Sequence, residues 1–198
     1  MIATAGIVTL SRSPLVLARA NFPETHHAIV SADGSARACQ AREVLPRGTS
    51  AIRLGMTTVI GPRVAVKILS GSRVVAEGSH APGWDGASVT IPVRPLPRTT
   101  APVKICFQLS SANGTIELLG LPARKTVAAT TEGHALPGRV HIEYLRPSSQ
   151  SWWSMANAVA WRLSIGRAFS GTWIVFLVLA LLIVLVTLPV WLITRELR

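Results

Sequence analysis

Between Thr49 and Leu145, apolar residues recur at every second position in short runs, each closed by Gly, Pro or an Asn-Gly pair. Val64, Val66 and Ile68 share one face with Lys67 opposite; Val89, Ile91 and Val93 repeat the pattern, as do Val140, Ile142 and Tyr144. Successive side chains of a strand point to opposite faces, so each run predicts a strand with one face buried and one wetted. The runs predict strands over 50–54, 63–69, 73–77, 87–93, 103–109, 115–121 and 139–145. That is a mainly β chain, an antiparallel β-sandwich of about seven strands. Gly61-Pro62, Ser70-Gly71, Pro82-Gly83, Pro95-Leu96-Pro97 and Asn113-Gly114 supply the turns, and Asn-Gly is the best hairpin signal among them.

After Pro147 the period changes from two to that of a helix. Trp152, Met155, Ala156, Val159 and Leu163 recur at helical spacing behind Ser151, a plausible N-cap, and predict an amphipathic helix over 151–168. An uncharged apolar run from Trp173 to Ile193 follows, closed by Arg195-Glu196-Leu197-Arg198. Twenty-one residues at 1.5 Å each reach about 31 Å, the hydrocarbon thickness of a bilayer, so the run predicts a membrane span. Trp173 and Trp191 stand near its ends, where indoles favour the lipid interface. Trp152, Trp153 and Trp161 with Arg162 and Arg167, just ahead of the span, fit a helix lying in the headgroup layer; packing under the β-domain is the competing arrangement. Gly166 and Gly171 would let the chain bend from the surface into the bilayer.

The expected organisation is a signal remnant or truncated membrane segment over 1–20 and an extended N-terminal segment over 21–48. The β-sandwich then fills 49–147, the juxtamembrane helix 151–168 and the transmembrane helix 172–194, with a basic tail at 195–198. Ala18-x-Ala20 fits a signal-peptidase site, although Arg12 and Pro14 interrupt the apolar stretch that a signal needs. Arg162 and Arg167 before the span balance Arg195 and Arg198 after it, so basic residues do not fix the orientation.

Charge narrows the partners. The net charge is +11, from 20 Lys plus Arg against 9 Asp plus Glu, and the basic residues are scattered singly. Nucleic-acid surfaces show clustered basic groups with interleaved aromatics, so no nucleic-acid partner is expected. Anionic lipid or an acidic glycan suits an anchored basic domain better. Cys39 and Cys106 are the two cysteines. They are a disulfide candidate, which would place the domain outside the cytoplasm; two buried free thiols are the alternative.

Catalytic and metal chemistry find little in the chain. The five histidines, His26, His27, His80, His134 and His141, show no ligand spacing, so no metal and no cofactor is expected. There is no Gly-x-Ser-x-Gly elbow and no phosphate loop, and Glu117 and Glu143, which could approach across neighbouring strands, fit surface partners of Arg better than a hydrolytic pair. Gly83-Trp84-Asp85-Gly86 is the ligand candidate: Trp84 could stack on a sugar ring and Asp85 bond a hydroxyl, or the indole could plug the end of the core. Asn113-Gly114-Thr115 matches a glycosylation sequon as well as a hairpin turn.

Leu136-Pro137-Gly138-Arg139, Ile142-Glu143-Tyr144-Leu145-Arg146-Pro147, Ser151-Trp152-Trp153-Ser154, Arg167-Ala168 and Gly171-Thr172-Trp173 carry a resemblance, and Cys39-Gln40, Leu45-Pro46 and Gly48-Thr49 extend it. In these residues the chain resembles actinobacterial single-span membrane proteins with an extracytoplasmic β-domain ahead of a C-terminal span. The resemblance implies architecture and location and carries over no functional residue. Together these features predict a non-enzymatic module of the cell envelope, bound to the lipid bilayer and associating with a membrane protein partner or an envelope glycan. Direct carbohydrate binding around Trp84 is the alternative, and a cytoplasmic tail-anchored protein the distant one.

Overall fold

A computed structural model describes residues 8–23, 27–85 and 87–164 and, in the C-terminal run, 173, 176, 177, 179–181, 183, 184 and 187. The chain divides into two compact units. One is Leu15–Ser148; the other joins the two ends, Met1–Pro14 and Ser149–Arg198.

The Leu15–Ser148 unit is mainly β and antiparallel. Its strands are β1 (Leu15–Ala20), β2 (His27–Leu45), β3 (Ala51–Thr57), β4 (Arg63–Ser70), β5 (Arg73–His80) and β6 (Ser88–Pro92). They continue with β7 (Thr100–Pro122), β8 (Thr130–Thr131), β9 (His134–Ala135), β10 (Gly138–Val140) and β11 (Ile142–Pro147). The pairing order is β1-β11-β3-β7-β2-β8-β9, with β10 on β7, β4 between β5 and β7, and β6 on β3. Alternation explains the core. Val64, Val66 and Ile68 of β4 turn inward beside Ile105, Phe107 and Leu109 of β7, and meet Ile52, Leu54 and Met56 of β3, Val89 and Ile91 of β6 and Ile142 and Tyr144 of β11 in one cluster. Fully burying each such side chain contributes about 1.5–3 kcal/mol.

Three features differ from the pattern read in the sequence. The segment 21–48, expected only as an extended stretch ahead of the β-domain, contains β2, which pairs with β7 along most of its length. Its inward positions include Ala32, Ala36 and Ala38 in place of β-branched residues, so its propensity for strand is weak although its pairing is long. Residues 15–20, expected as the end of a signal, form β1 on β11, with Leu15 opposite Pro147 and Ala20 opposite Glu143. Asn113-Gly114 does not reverse the chain. β7 runs through it, and the ladder steps from Ser35↔Ser110 to Asp33↔Thr115 across a bulge. Gly114 (φ 94°) and Gly34 (φ 79°) both lie in this irregular stretch in conformations that glycine tolerates, and Thr115 Oγ1 donates to Asp33 Oδ1 at 2.7 Å. The described residues form eleven strands in place of about seven.

In the other unit, helix α1 (Trp152–Ser164) begins where expected, and Ser151 caps it: its Oγ accepts from Ser154 N at 3.3 Å. Among the described residues no helix is long and apolar enough to cross a membrane. The expected span is described only at Trp173, Phe176, Leu177, Leu179, Ala180, Leu181, Ile183, Val184 and Thr187, all helical; its remainder, with Trp191, lies outside the described residues, as does Arg167.

Candidate functional site

The register of β2 on β7 sets Cys39 directly opposite Cys106, with Cα atoms 4.0 Å apart, and the two form a disulfide. One residue further along β2 the ladder breaks into another bulge, between Gln40 and Glu43. In a regular strand, positions three apart face opposite ways. Here Ala41 and Arg42 turn outward together, with Arg42 at φ 62°, and both Gln40 and Glu43 are buried.

Glu43, 4% exposed, is the centre of a polar cluster inside the sheet. Its Oε1 accepts from Gln40 Nε2 and from Arg139 Nη2, each at 2.6 Å, and its Oε2 accepts from Tyr144 Oη at 3.1 Å. Gln40 Oε1 in turn accepts from the backbone N–H of Val140 at 2.8 Å, doing for β10 what a strand carbonyl would do. Burial, reinforced by the negative charge of Glu43 and by the hydrogen bond to it, pushes the Tyr144 phenol far above its ordinary value. The cluster is therefore a set of donors gathered around one carboxylate. Nothing in period-two patterning marks Gln40 and Glu43 as partners.

His141, beside it, is 4% exposed. Neither ring nitrogen has a hydrogen-bond partner among the described residues; Nε2 stands 3.6 Å from Glu143 Oε1, and the ring meets Phe22 edge-on at 5.2 Å. Glu143 itself takes Arg53 Nη1 at 3.1 Å. Glu117 is not near it in the pairing: β3 runs between β7 and β11, with Thr57 opposite Glu117 and Arg53 opposite Glu143. The two carboxylates thus do not flank one substrate bond. Among the described residues no group of three or more His, Cys, Asp and Glu could hold a metal ion.

The loop of the ligand candidate is built around Gly61. Trp84 Nε1 donates to Pro62 O at 2.9 Å, Gly61 N donates to Trp84 O and Gly83 N to Gly61 O, both at 2.8 Å. A Cβ at Gly61 would collide with the indole, so that face of Trp84 lies flat on backbone. The half-buried ring packs against the core, with His80 edge-on to it at 6.3 Å. One face and the N–H are thus committed, which is the geometry of a plug, and Asp85 beside it is exposed.

A cleft of about 610 Å³ lies elsewhere, along β2. Ile29, Val30, Ala32, Ala36, Leu109 and Leu136 give it apolar walls, and Arg37, Gln108 and Glu132 give it polar groups. Beyond the contact of Cys39 with Thr130, the outer edge of β2 carries no strand among the described residues. The β8–β9 turn borders the cleft with Glu132 at φ 48° followed by Gly133 at φ 87°. The cleft escaped the sequence reading because β2 itself did.

Of the interface residues expected on α1, Trp152, Trp153 and Trp161 are 44%, 53% and 62% exposed, and Arg162 lies in its last turn. Trp173, Phe176, Leu177, Leu179, Leu181, Ile183 and Val184 also expose their apolar side chains. No protein family, curated protein or solved structure matches the chain.

Proposed function

We propose that this chain is a non-catalytic binding or accessory module of the cell envelope, with its β-unit outside the cytoplasm, α1 in the lipid headgroup layer and a single span over 172–194. The β-unit is read as a two-layer antiparallel sandwich, consistent with one core drawn from strands on both sides of β3. The observation that carries the location is the Cys39–Cys106 disulfide, because such bonds persist in oxidising compartments and are rare in the cytosol. Support for the anchor comes from the exposed aromatic and aliphatic side chains of α1 and of the run after it, an apolar surface that water disfavours and lipid does not. The cleft along β2 is the surface offered to a membrane protein partner, since an open strand edge presents main-chain donors and acceptors to an extended segment. Sugar binding at Trp84 draws less support, the indole being held as a plug.

The test is labelling of intact cells with a membrane-impermeant maleimide, before and after external reduction. Labelling of Cys39 and Cys106 that appears only after reduction is expected. Thiols that react without reduction, and only after lysis, would make the β-unit cytoplasmic and end this proposal.

A further inference from the structure

A smaller cavity, about 260 Å³, opens beside the Gln40–Glu43 bulge of β2 and is lined by Ala41, Arg42, Thr126, Val127, Ala128 and Arg139. Two of these are arginines and none is acidic. The bulge that buries Gln40 and Glu43 is what turns Arg42 outward, at a left-handed φ of 62° that disfavours any residue with a Cβ. Arg139 enters from β10. Glu43 grips its Nη2 at 2.6 Å, and with Gln40 and Tyr144 also bound to it that carboxylate is fully engaged. A guanidinium carries five N–H donors, so Arg139, oriented by Glu43 and lying over the Phe22 ring at 5.9 Å, has donors that Glu43 does not take. Arg42 has no carboxylate partner among the described residues. Two guanidiniums against one carboxylate leave a net positive charge, and the Thr126 hydroxyl adds another donor.

We propose that this cavity binds a phosphate-type oxyanion, with Arg42 and Arg139 donating to its oxygens. Guanidinium groups match such anions through paired, charge-assisted hydrogen bonds, which a single ammonium cannot reproduce. The same chemistry is offered by a lipid headgroup and by free phosphate, and the proposal holds whether or not the chain spans a membrane.

The experiment is thermal unfolding of the full chain in neutral detergent, with sodium phosphate titrated against sodium chloride at matched ionic strength. Phosphate is expected to raise Tm above the chloride value. Arg42→Gly removes the guanidinium and places at φ 62° the residue that best tolerates it, so it is expected to keep or raise the Tm in chloride while weakening the apparent phosphate Kd about tenfold or more. Arg42→Lys, which keeps the charge but loses the planar fork, is the second variant and is expected to weaken phosphate binding with an unchanged Tm in chloride. Equal responses to phosphate and chloride in the parent chain, or a full phosphate response in either variant, would overturn the proposal. Micelles doped with phosphatidylglycerol separate the sources. A lipid ligand raises Tm without added phosphate, in the parent but not in Arg42→Gly, whereas a free ligand gives the same phosphate response in both micelles.

Discussion

Glu43 shows how one residue can couple three strands. Its carboxylate on β2 holds Arg139 of β10 and Tyr144 of β11, and it is almost wholly out of water. Without Glu43 the buried donors of Gln40 and Tyr144 lose their acceptor and the part-exposed Arg139 loses its counter-charge, so Glu43→Ala is expected to cost about 1–3 kcal/mol, read as a lower urea midpoint. Replacing Glu43 and Arg139 together by Leu and Met should return part of that loss, because no charge is then stranded. Tyr144 adds a pH signature. Its folded value is raised above the ordinary 10.0, by burial first and by Glu43 second. The stability this contributes is present in full below the ordinary value and is lost as pH climbs above it, because only the unfolded chain then sheds the proton. The urea midpoint is therefore expected to fall from about pH 10 upward, at most about 1.4 kcal/mol per pH unit from this group, and Tyr144→Phe should remove that slope. Tyr144 is the single tyrosine of the chain, so phenolate absorbance reports it alone. Absorbance that rises while the protein is still folded would show the phenol to be accessible and the proposed cause wrong.

At the scale of elements, the β2–β7 pair carries most of what the sequence did not disclose. β4, β6 and β11 were legible because β-branched and aromatic residues alternate with polar ones in them, and their inward faces are the ones read from that alternation. β2 was not, because alanines occupy several inward positions and four register shifts break its period. Leu15-Val16-Leu17-Ala18-Arg19-Ala20 reads as the end of a signal on local composition, yet as a strand once β11 is available to pair with it. Asn113-Gly114 reads as a hairpin for the same reason: a local turn preference yields to a ladder that continues on both sides. The Glu43 cluster and the cleft along β2 were invisible for want of β2, and a left-handed Arg42 has no mark in sequence at all. The disulfide is the exception, since two cysteines admit one intrachain pairing. It ties β2 to β7 across a separation of 67 residues, and in the chain-entropy account closing such a loop stabilises by about 4 kcal/mol. The Cys39→Ala, Cys106→Ala double variant should lose about 2–5 kcal/mol in urea, and reduction of the parent a similar amount. A midpoint unchanged by reduction would mean that the denatured chain is already constrained there.

For the whole molecule, the decisive question is where the independently folding unit begins. Composition places the start of the β-domain at Thr49, whereas the contacts gather Leu15–Ser148 into one compact unit. The difference is physical. A chain starting at Thr49 lacks β1, the partner of β11, and β2, the longest partner of β7, and with β2 it loses Glu43 and Cys39. β7 would then expose an edge of aliphatic strand to solvent, a template for aggregation. A fragment of residues 15–148 omits α1 and the apolar run with their exposed tryptophans and leucines, while keeping the core cluster, the disulfide and the Glu43 hydrogen bonds. It is expected to be soluble without detergent and to unfold in one cooperative urea transition, whereas residues 49–148 are expected to aggregate or to show no cooperative transition. The full chain, by contrast, should remain in the membrane fraction after alkaline carbonate washing if the run over 172–194 spans the bilayer. Cooperative unfolding of the 49–148 fragment would show that β2 only decorates a core already complete. Release of the full chain by carbonate would place the exposed apolar helices against protein instead of lipid.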